Sequence, residues 1–298
     1  MSQAWVGPAR SEVGRARRTR LRSARLYLVT DDATPGERLP ELIREAIAGG
    51  VDMVQLRRKA VDPEELIDLA QACRDVCHAG GALFLVDDHV DLARTAGADG
   101  VHVGQADLDP AQVRAQLGPE LLIGLSTHSA EHVVRAATQP IDYLSAGPVY
   151  ATPTKPGRAA VGFEQVRAAA RRSAVPVVAI GGLGPGTVGR AAAAGADIVA
   201  VVRALSQAGN PQEVARGLRA EFEAESSWLT LRVNGQQRKC PPGTSVRGYL
   251  DGIGVVQDGI VIERNGEILK NADWAGIELA IGDELEVVHL VGGGTTYG

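Results

Sequence analysis

The sequence predicts an eight-stranded (β/α)8 TIM barrel followed by a small β-grasp, ubiquitin-like module. Three observations lead there. Eight short apolar runs alternate with amphipathic stretches over roughly 200 residues, the pattern of parallel strands each followed by a helix. The tetrapeptide Ala-Gly-Ala-Asp occurs at 96–99 and again at 194–197, and reads as a helix stop leading into a buried strand. After Glu225 the periodicity changes to alternation punctuated by Asn-Gly turns.

In chain order, the apolar runs 26–29, 53–56, 83–86, 101–103, 122–125, 143–146, 177–180 and 198–202 read as strands buried on both faces. Between them, 39–48, 63–79, 113–117, 131–137, 163–172 and 187–194 carry helical periodicity. An open doubly wound sheet is the competing architecture, but it usually has fewer strands. Residues 224–227 form a short joint. Beyond it Leu229, Leu231 and Val233 alternate with polar residues and run into Asn234-Gly235, a hairpin signal. A short helix is expected over 245–250, a strand over 260–264, a second turn at Asn265-Gly266 and a last strand over 284–291. The expected domains are a basic leader over 1–24, the barrel over 25–225 and the small module over 228–298.

A chain of 298 residues accommodates one barrel and one small domain. It is 45% hydrophobic and 22% charged, and no apolar run approaches the roughly 18 residues of a membrane span, so a soluble protein is expected. The net charge of −5 hides an asymmetry: residues 1–25 hold seven arginines against Glu12 alone, a net +6, which leaves −11 on the rest. An acidic body argues against nonspecific nucleic-acid binding, which draws on Lys and Arg. The Arg-rich start is open to three readings: a transit peptide, a nucleic-acid arm or a leader. A disordered leader is the expectation, and the lack of an apolar core excludes a secretory signal. Cys73, Cys77 and Cys240 are too few for a structural zinc site or a disulfide framework, and read as packing cysteines in a reducing cytoplasm.

Barrel active sites lie at the C-terminal strand ends. The second strand runs into Gln55-Leu56-Arg57-Arg58-Lys59, and period-two alternation sets Gln55, Arg57 and Lys59 on one face. One amide and two cations suit a hydrogen-bonding polyanion. The third strand ends at Asp87-Asp88, and the loop after the fourth carries Gln105-Ala106-Asp107. Carboxylates from neighbouring strand ends suit Mg²⁺, which takes one or two of them and fills its shell with water and phosphate oxygens. Helix capping is the alternative for Asp88. The fifth strand gives Ser126-Thr127-His128, and the sixth enters a hydroxyl-rich loop that carries Thr152, Thr154 and Lys155. Gly181-Gly182 and Val202-Arg203, after the last two strands, fit a phosphate cradle. His102 and His128 read as structural or supporting groups.

Taken in order, Gln55-x-Arg57-x-Lys59, Val86-Asp87-Asp88, His102-Val103-Gly104-Gln105-x-Asp107, Gly124-Leu125-Ser126, Gly147-Pro148-x-Tyr150-x-Thr152-x-Thr154-Lys155 and Ile180-Gly181-Gly182 resemble the thiamine phosphate synthase family. The resemblance implies that Gln55, Arg57, Lys59, Asp87 and Lys155 hold a pyrimidine diphosphate, and that Asp88 and Asp107 bind Mg²⁺. It implies that Ser126 contacts the pyrimidine, and that Thr152, Thr154, Gly182, Val202 and Arg203 surround a thiazole phosphate. Arg57, Lys59, Ser126 and Lys155 are then the catalytic set. Two positions depart from the family pattern: Asp87 stands where Asn is common, and Arg203 where Ser is common. The related thiazole tautomerase has a His where this chain has Pro148.

The stretch 229–294 resembles the sulfur carrier protein of thiamine biosynthesis, through the Asn-Gly hairpins, Pro242-Gly243-Thr244-Ser245-Val246, Trp274 and the glycines after the last strand. That resemblance implies an adenylating and sulfur-transfer enzyme and a thiazole synthase as partners, and a thiocarboxylate formed at a terminal glycine, Gly293-Gly294. Here Thr295-Thr296-Tyr297-Gly298 follow, so trimming to Gly294, use of Gly298 and loss of the carrier role all stand open. The expected whole is a synthase fused to a carrier; an active synthase with a docking module and a barrel that only scaffolds the carrier are the alternatives.

Overall fold

The computed structural model describes residues 11–152, 159–255 and 259–289. The first unit runs α1 (Glu12–Ser23), β1 (Leu26–Val29), α2 (Leu39–Ala48), β2 (Met53–Leu56), α3 (Ile67–Ala79), β3 (Leu83–Asp87), α4 (Val90–Thr95), β4 (Gly100–Val103), α5 (Pro110–Leu117) and β5 (Leu122–Thr127). It continues through α6 (Ala130–Ala136), β6 (Tyr143–Ala146), α7 (Gly162–Arg172), β7 (Val177–Ile180), α8 (Val188–Ala193), β8 (Ile198–Val201), α9 (Arg203–Ser206) and α10 (Pro211–Ala224). The eight strands pair in sequence order, all parallel, and β8 closes on β1, so the predicted barrel is the observed one.

Period-two alternation splits each strand between two cores. Tyr27, Met53, Leu85, Leu122, Tyr143 and Ile198 fill the barrel, while Leu28, Val54, Phe84, Val101, Ile123 and Val199 pack outward against the helices. Several element ends differ from expectation. Strands β3 and β5 run one and two residues further, to Asp87 and Thr127, and β8 stops at Val201. The segment before α3 is a 3-10 turn over Pro63–Leu66. Helices α4, α9 and α10 were not anticipated. For α10 the signal was present, because Asn210 accepts from the Glu213 amide at 3.1 Å just ahead of Pro211.

A four-fold repeat closes the N-terminal end of the barrel. Asp52, Asp99, Asp142 and Asp197 stand immediately before β2, β4, β6 and β8. Their carboxylates accept amides from the start of the preceding strand or the residue before it, those of Arg25 (2.7 Å), Phe84 (3.0 Å), Ile123 (2.9 Å) and Val177 (2.8 Å). Each also meets a cation. Arg219 of α10 pairs with Asp52 (2.9 Å) and Arg17 of α1 with Asp99 (2.8 Å). Arg18 and Arg114 share Asp142 (2.7 and 2.6 Å), and Lys239 of the small unit takes Asp197 (2.7 Å).

Two of those cations correct the sequence reading of the N-terminus. Residues 12–23, expected within a disordered leader, form α1. Ser11 caps the helix by accepting the Gly14 amide, and Leu21 and Ala24 are buried with Tyr27, Met53 and Leu83 as the floor of the barrel. Composition concealed this because a run of Arg suggests a solvated segment. Arg, Ala and Leu are nonetheless strong helix formers, and these arginines find aspartate partners only in the closed barrel.

The second unit comprises β9 (Leu229–Val233), β10 (Gln236–Cys240), α11 (Val246–Ile253), β11 (Ile260–Arg264), β12 (Glu267–Leu269) and β13 (Glu284–His289). Its sheet order is β10-β9-β13-β11-β12, with β9 and β13 parallel. Asn234 and Gly235 (φ 47° and 72°) and Asn265 and Gly266 (φ 52° and 89°) take the left-handed pairs that two-residue hairpins require. Ser245 caps α11, whose Val246, Tyr249 and Leu250 pack with Leu231, Ile262, Trp274 and Leu285. Residues 290 and 291 of the expected last strand, like Gly293 and Gly294, lie outside the described residues.

The units meet at the strand N-termini. Trp228 donates to the Ala193 carbonyl at 3.0 Å and lies over Gly195, where a Cβ would come within 2.6 Å of the indole. Lys239 also donates to the Gly195 carbonyl at 2.7 Å. Asp197 and Gly195 precede β8, so this contact is at the opposite end of the barrel from the strand C-termini. Cys73, Cys77 and Cys240 are buried free thiols. Among the described residues no helix is long and apolar enough to cross a membrane.

Candidate active site

A cavity opens at the C-terminal ends of the strands, with about 180 Å³ of free volume. That is an order of magnitude beyond the roughly 10–15 Å³ needed by one water, so it is ligand-sized. Gln55, Arg57, Asp87, Ser126, Thr152, Gly182, Val202 and Arg203 all line it. Lys59, Asp88 and Asp107 gather at its rim through their contacts with Asp87 and each other. Thr154 and Lys155 lie outside the described residues.

Charge is concentrated on one side. Lys59 Nζ is 3.0 Å from Asp87 and also pairs with Asp88. Arg57 Nε lies 3.6 Å from Asp87, beyond hydrogen-bond range, and Gln55 donates to Asp87 at 3.2 Å. Arg57 Nε is buried and has no hydrogen-bond partner among the described residues. Burial, then the neighbouring Asp87 charge, push the Asp88 carboxyl up to about 6, with Asp107 in hydrogen-bond contact adding to the rise. Lys59 moves the other way from what burial alone would give, because Asp88 and Asp87 hold it protonated. The two shifts agree physically: Asp87 and Asp88 share the one Lys59 ammonium and Asp107 bonds to Asp88, so carboxyl groups are crowded around a single cation.

Such crowding suits a further cation. Among the described residues no three His, Cys, Asp or Glu groups converge as a metal cage. Magnesium does not need one, since one or two carboxylates, water and phosphate oxygens complete its shell. Asp88 and Asp107 fit that role. Capping does not explain Asp88, because the residue capping α4 is His89, without a side-chain bond, and Asp88 itself has φ 60°.

The other wall is built from tight turns. Gly181 has φ 104°, and a Cβ there would come within 2.5 Å of Pro148, so only glycine lets the turn after β7 close against the loop after β6. Gly182, Val202 and Arg203 follow among the lining residues with Thr152, whose loop packs against Gly182 through Tyr150. Gln105 donates to the Ser126 carbonyl at 2.6 Å and accepts from Arg135 at 2.9 Å. His128 bonds the Gly147 carbonyl through Nδ1 at 2.6 Å, a supporting contact.

Sequence reasoning overlooked the strand-one end. Asp32 accepts the Lys59 amide at 2.8 Å and lies 3.8 Å from Arg57, and Thr30 accepts the Arg57 amide at 2.9 Å. The Asp31-Asp32 pair mirrors Asp87-Asp88, a signal available in the sequence. Tyr27, which also lines the cavity, and Tyr143, in the barrel interior beneath it, gave no such signal. Their inward direction is visible only once the barrel closes.

The sequence model for thiamine monophosphate synthase matches residues 26–205, well over half of the chain, and takes in every mouth residue from Gln55 to Arg203. The chain belongs to the thiamine monophosphate synthase family. Within it, the thiamine-phosphate synthase of Gloeobacter violaceus is 49% identical over 194 residues, covering 65% of this chain and 56% of that protein. The Thermobifida fusca thiamine-phosphate synthase is 42% identical over 212 residues, covering 70% of this chain and 97% of its own length. The chain spans little more than half the length of the cyanobacterial relatives it matches, 56% to 59% for four of them. Among solved structures, thiamine phosphate pyrophosphorylase from Pyrococcus furiosus superposes with a TM-score of 0.62 at 32% identity, covering 70% of this chain and 98% of that one. In this family member a second model, for the ThiS family, matches residues 231–294.

Proposed function

We propose that the barrel joins hydroxymethylpyrimidine diphosphate to thiazole phosphate, giving thiamine phosphate and diphosphate. The observation that carries the reading is the mouth itself. Arg57 Nε, buried and unbonded among the described residues, and the two carboxylates Asp87 and Asp88 on Lys59, with Asp107 bonded to Asp88, suit a polyanion and a divalent cation bound together. Asp88 and Asp107 would hold Mg²⁺, which would supply positive charge for the leaving diphosphate when bound. Arg57, Lys59 and Lys155 bind that diphosphate, with Gln55 and Asp87 beside them, and Ser126 contacts the pyrimidine. Thr152, Thr154, Gly182, Val202 and Arg203 surround the thiazole phosphate. As the methylene carbon–oxygen bond breaks, the electron pair leaves with diphosphate and the aminopyrimidine delocalises the positive charge. The thiazole nitrogen then supplies its lone pair to form the carbon–nitrogen bond, so no general base is required. The cations stabilise charge where it develops, which is the largest contribution expected of such a site.

The small domain acts in this reading as a sulfur carrier for thiazole formation, supported by the ThiS-family match and the β-grasp element order. Its partners are an adenylating, sulfur-transferring enzyme and a thiazole synthase, all in the cytoplasm. Adenylation needs a free carboxylate, so cleavage after Gly294 precedes it. Purified protein incubated with both substrates should release thiamine phosphate and diphosphate in equal amounts with Mg²⁺ and neither in excess chelator. Absence of product with Mg²⁺ present would end the synthase reading. Mass spectrometry of the C-terminal peptide from native cells should show a thiocarboxylate on Gly294; activation at Gly298 alone would refute cleavage.

A further inference from the structure

A line of four polar side chains runs along the barrel axis from the cavity, whose wall includes Ser126, His102 and Tyr27. Ser126 Oγ is 3.0 Å from His102 Nε2, His102 Nδ1 is 3.0 Å from the Tyr143 hydroxyl, and that hydroxyl is 3.1 Å from the Tyr27 hydroxyl. The four come from β5, β4, β6 and β1, and each is less than a tenth exposed. Gly124, two residues before Ser126, makes the line possible. A side chain there would overlap the Tyr143 ring and come within 2.5 Å of His102 Nδ1.

Proton accounting fixes the direction of the line. If Tyr27 donates to Tyr143, then Tyr143 donates to Nδ1, the Nε2–H donates to Ser126, and the serine proton remains for a ligand above. If the order is reversed, Ser126 spends its proton on Nε2 and Tyr143 donates to Tyr27. The Tyr27 hydroxyl proton then has no acceptor among the described residues, although Tyr27 is only 2% exposed. A buried donor without an acceptor is disfavoured, so the first order prevails.

We propose that His102 is a positioning residue, held as its Nε2–H tautomer by Tyr143 and Tyr27, that presents the Ser126 hydroxyl as a hydrogen-bond donor to a ring nitrogen of the pyrimidine substrate. The proposal rests on the reading of Ser126 as a pyrimidine contact. In this role His102 acts through Ser126, 3.0 Å from its Nε2. The two phenols set the tautomer, with Tyr143 essential to it and Tyr27 only reinforcing it, since Tyr143 can still donate to Nδ1 when Tyr27 lacks its oxygen.

Nitrogen NMR of histidine-labelled full-length protein reads the tautomer directly, whatever the activity. His102 should show a protonated Nε2 and an unprotonated Nδ1, and Tyr143→Phe should lose that preference. A protonated Nδ1 in the wild type overturns the proposal and leaves the synthase reading untouched. Steady-state kinetics supply the second arm. Ser126→Ala and His102→Leu should each lower kcat/KM for the pyrimidine diphosphate tenfold or more, with KM for thiazole phosphate within twofold of wild type. The double variant should be no worse than Ser126→Ala, because the proposed role of His102 runs through the serine. His102→Gln, whose amide can donate to Ser126, should recover part of the loss. Additive losses, or equal damage to both substrates, overturn the positioning role. An unaffected Ser126→Ala would instead overturn the assignment of Ser126 on which the proposal rests. If His102→Leu fails to fold, Tyr143→Phe, which removes one oxygen, carries the same test.

Discussion

Replacing Leu21 by alanine tests whether the arginine-rich helix is a structural part of the barrel. Leu21 is 1% exposed and packs with Tyr27, Met53, Leu83 and Leu122 at the floor of the strands. Alanine is at least as good a helix former as leucine, so α1 itself loses nothing, and the change reads packing alone. Buried Leu→Ala replacements cost about 2–5 kcal/mol. With about 3 kcal/mol lost, and about 2–4 °C per kcal/mol for a unit of this size, the barrel transition should fall by about 6–12 °C. Near-ultraviolet circular dichroism on heating is a suitable assay, because Tyr27 and Tyr143 lie within the same interior cluster. Val13→Ala on the same helix is the control: Val13 is 51% exposed, and its loss should stay within about 0.5 kcal/mol. Synthase turnover at 25 °C should be nearly unchanged in Leu21→Ala, since the floor lies at the opposite end from the mouth. An unshifted transition in Leu21→Ala, with α1 still helical, would show that the helix does not seal the barrel.

Three further outcomes are expected. Asp88→Ala and Asp107→Ala should each abolish most Mg²⁺-dependent turnover, and Lys59→Ala should lower kcat by about 10²-fold; full activity of either aspartate variant in excess chelator would remove the metal assignment. A chain ending at Glu225 should retain synthase activity, because the small domain docks at the strand N-termini, but it should melt earlier, since Asp197 loses Lys239 and Gly195 loses the Trp228 cover. In the small domain, burial works against the Asp283 carboxylate, yet hydrogen bonds from Arg264, the Ala280 amide and Asn265 hold its carboxyl below the usual value. A depressed folded value means stability that is present above the unfolded pKa of about 3.9 and lost as pH falls through the folded one. Urea titrations monitored at Trp274 should therefore show the small domain weakening below about pH 4, less so in Asp283→Asn; identical pH profiles would contradict this.

How far the sequence reached can be seen in particular residues. Strand order, the Gly181-Gly182 turn and both Asn-Gly hairpins were legible because each follows from a local rule: a buried apolar run, a positive φ, a two-residue turn. The cations and carboxylates of strands two, three and four were legible because strand C-termini in a barrel converge on one mouth. Closure decided the rest. Asp52, Asp99, Asp142 and Asp197 are ordinary pre-strand residues in one dimension; only the closed ring hands them to Arg219, Arg17, Arg18 and Lys239. The same holds for α1, whose arginines look solvated until the floor of the barrel supplies partners 82 and 124 residues away. It holds again for Tyr27, His102, Ser126 and Tyr143, scattered over four strands and joined only along the barrel axis. Local sequence determines which backbone conformation is cheapest, since those energies act within a few residues. Which distant charges and protons meet is settled by tertiary closure, because burial makes an unpaired group too costly to leave alone.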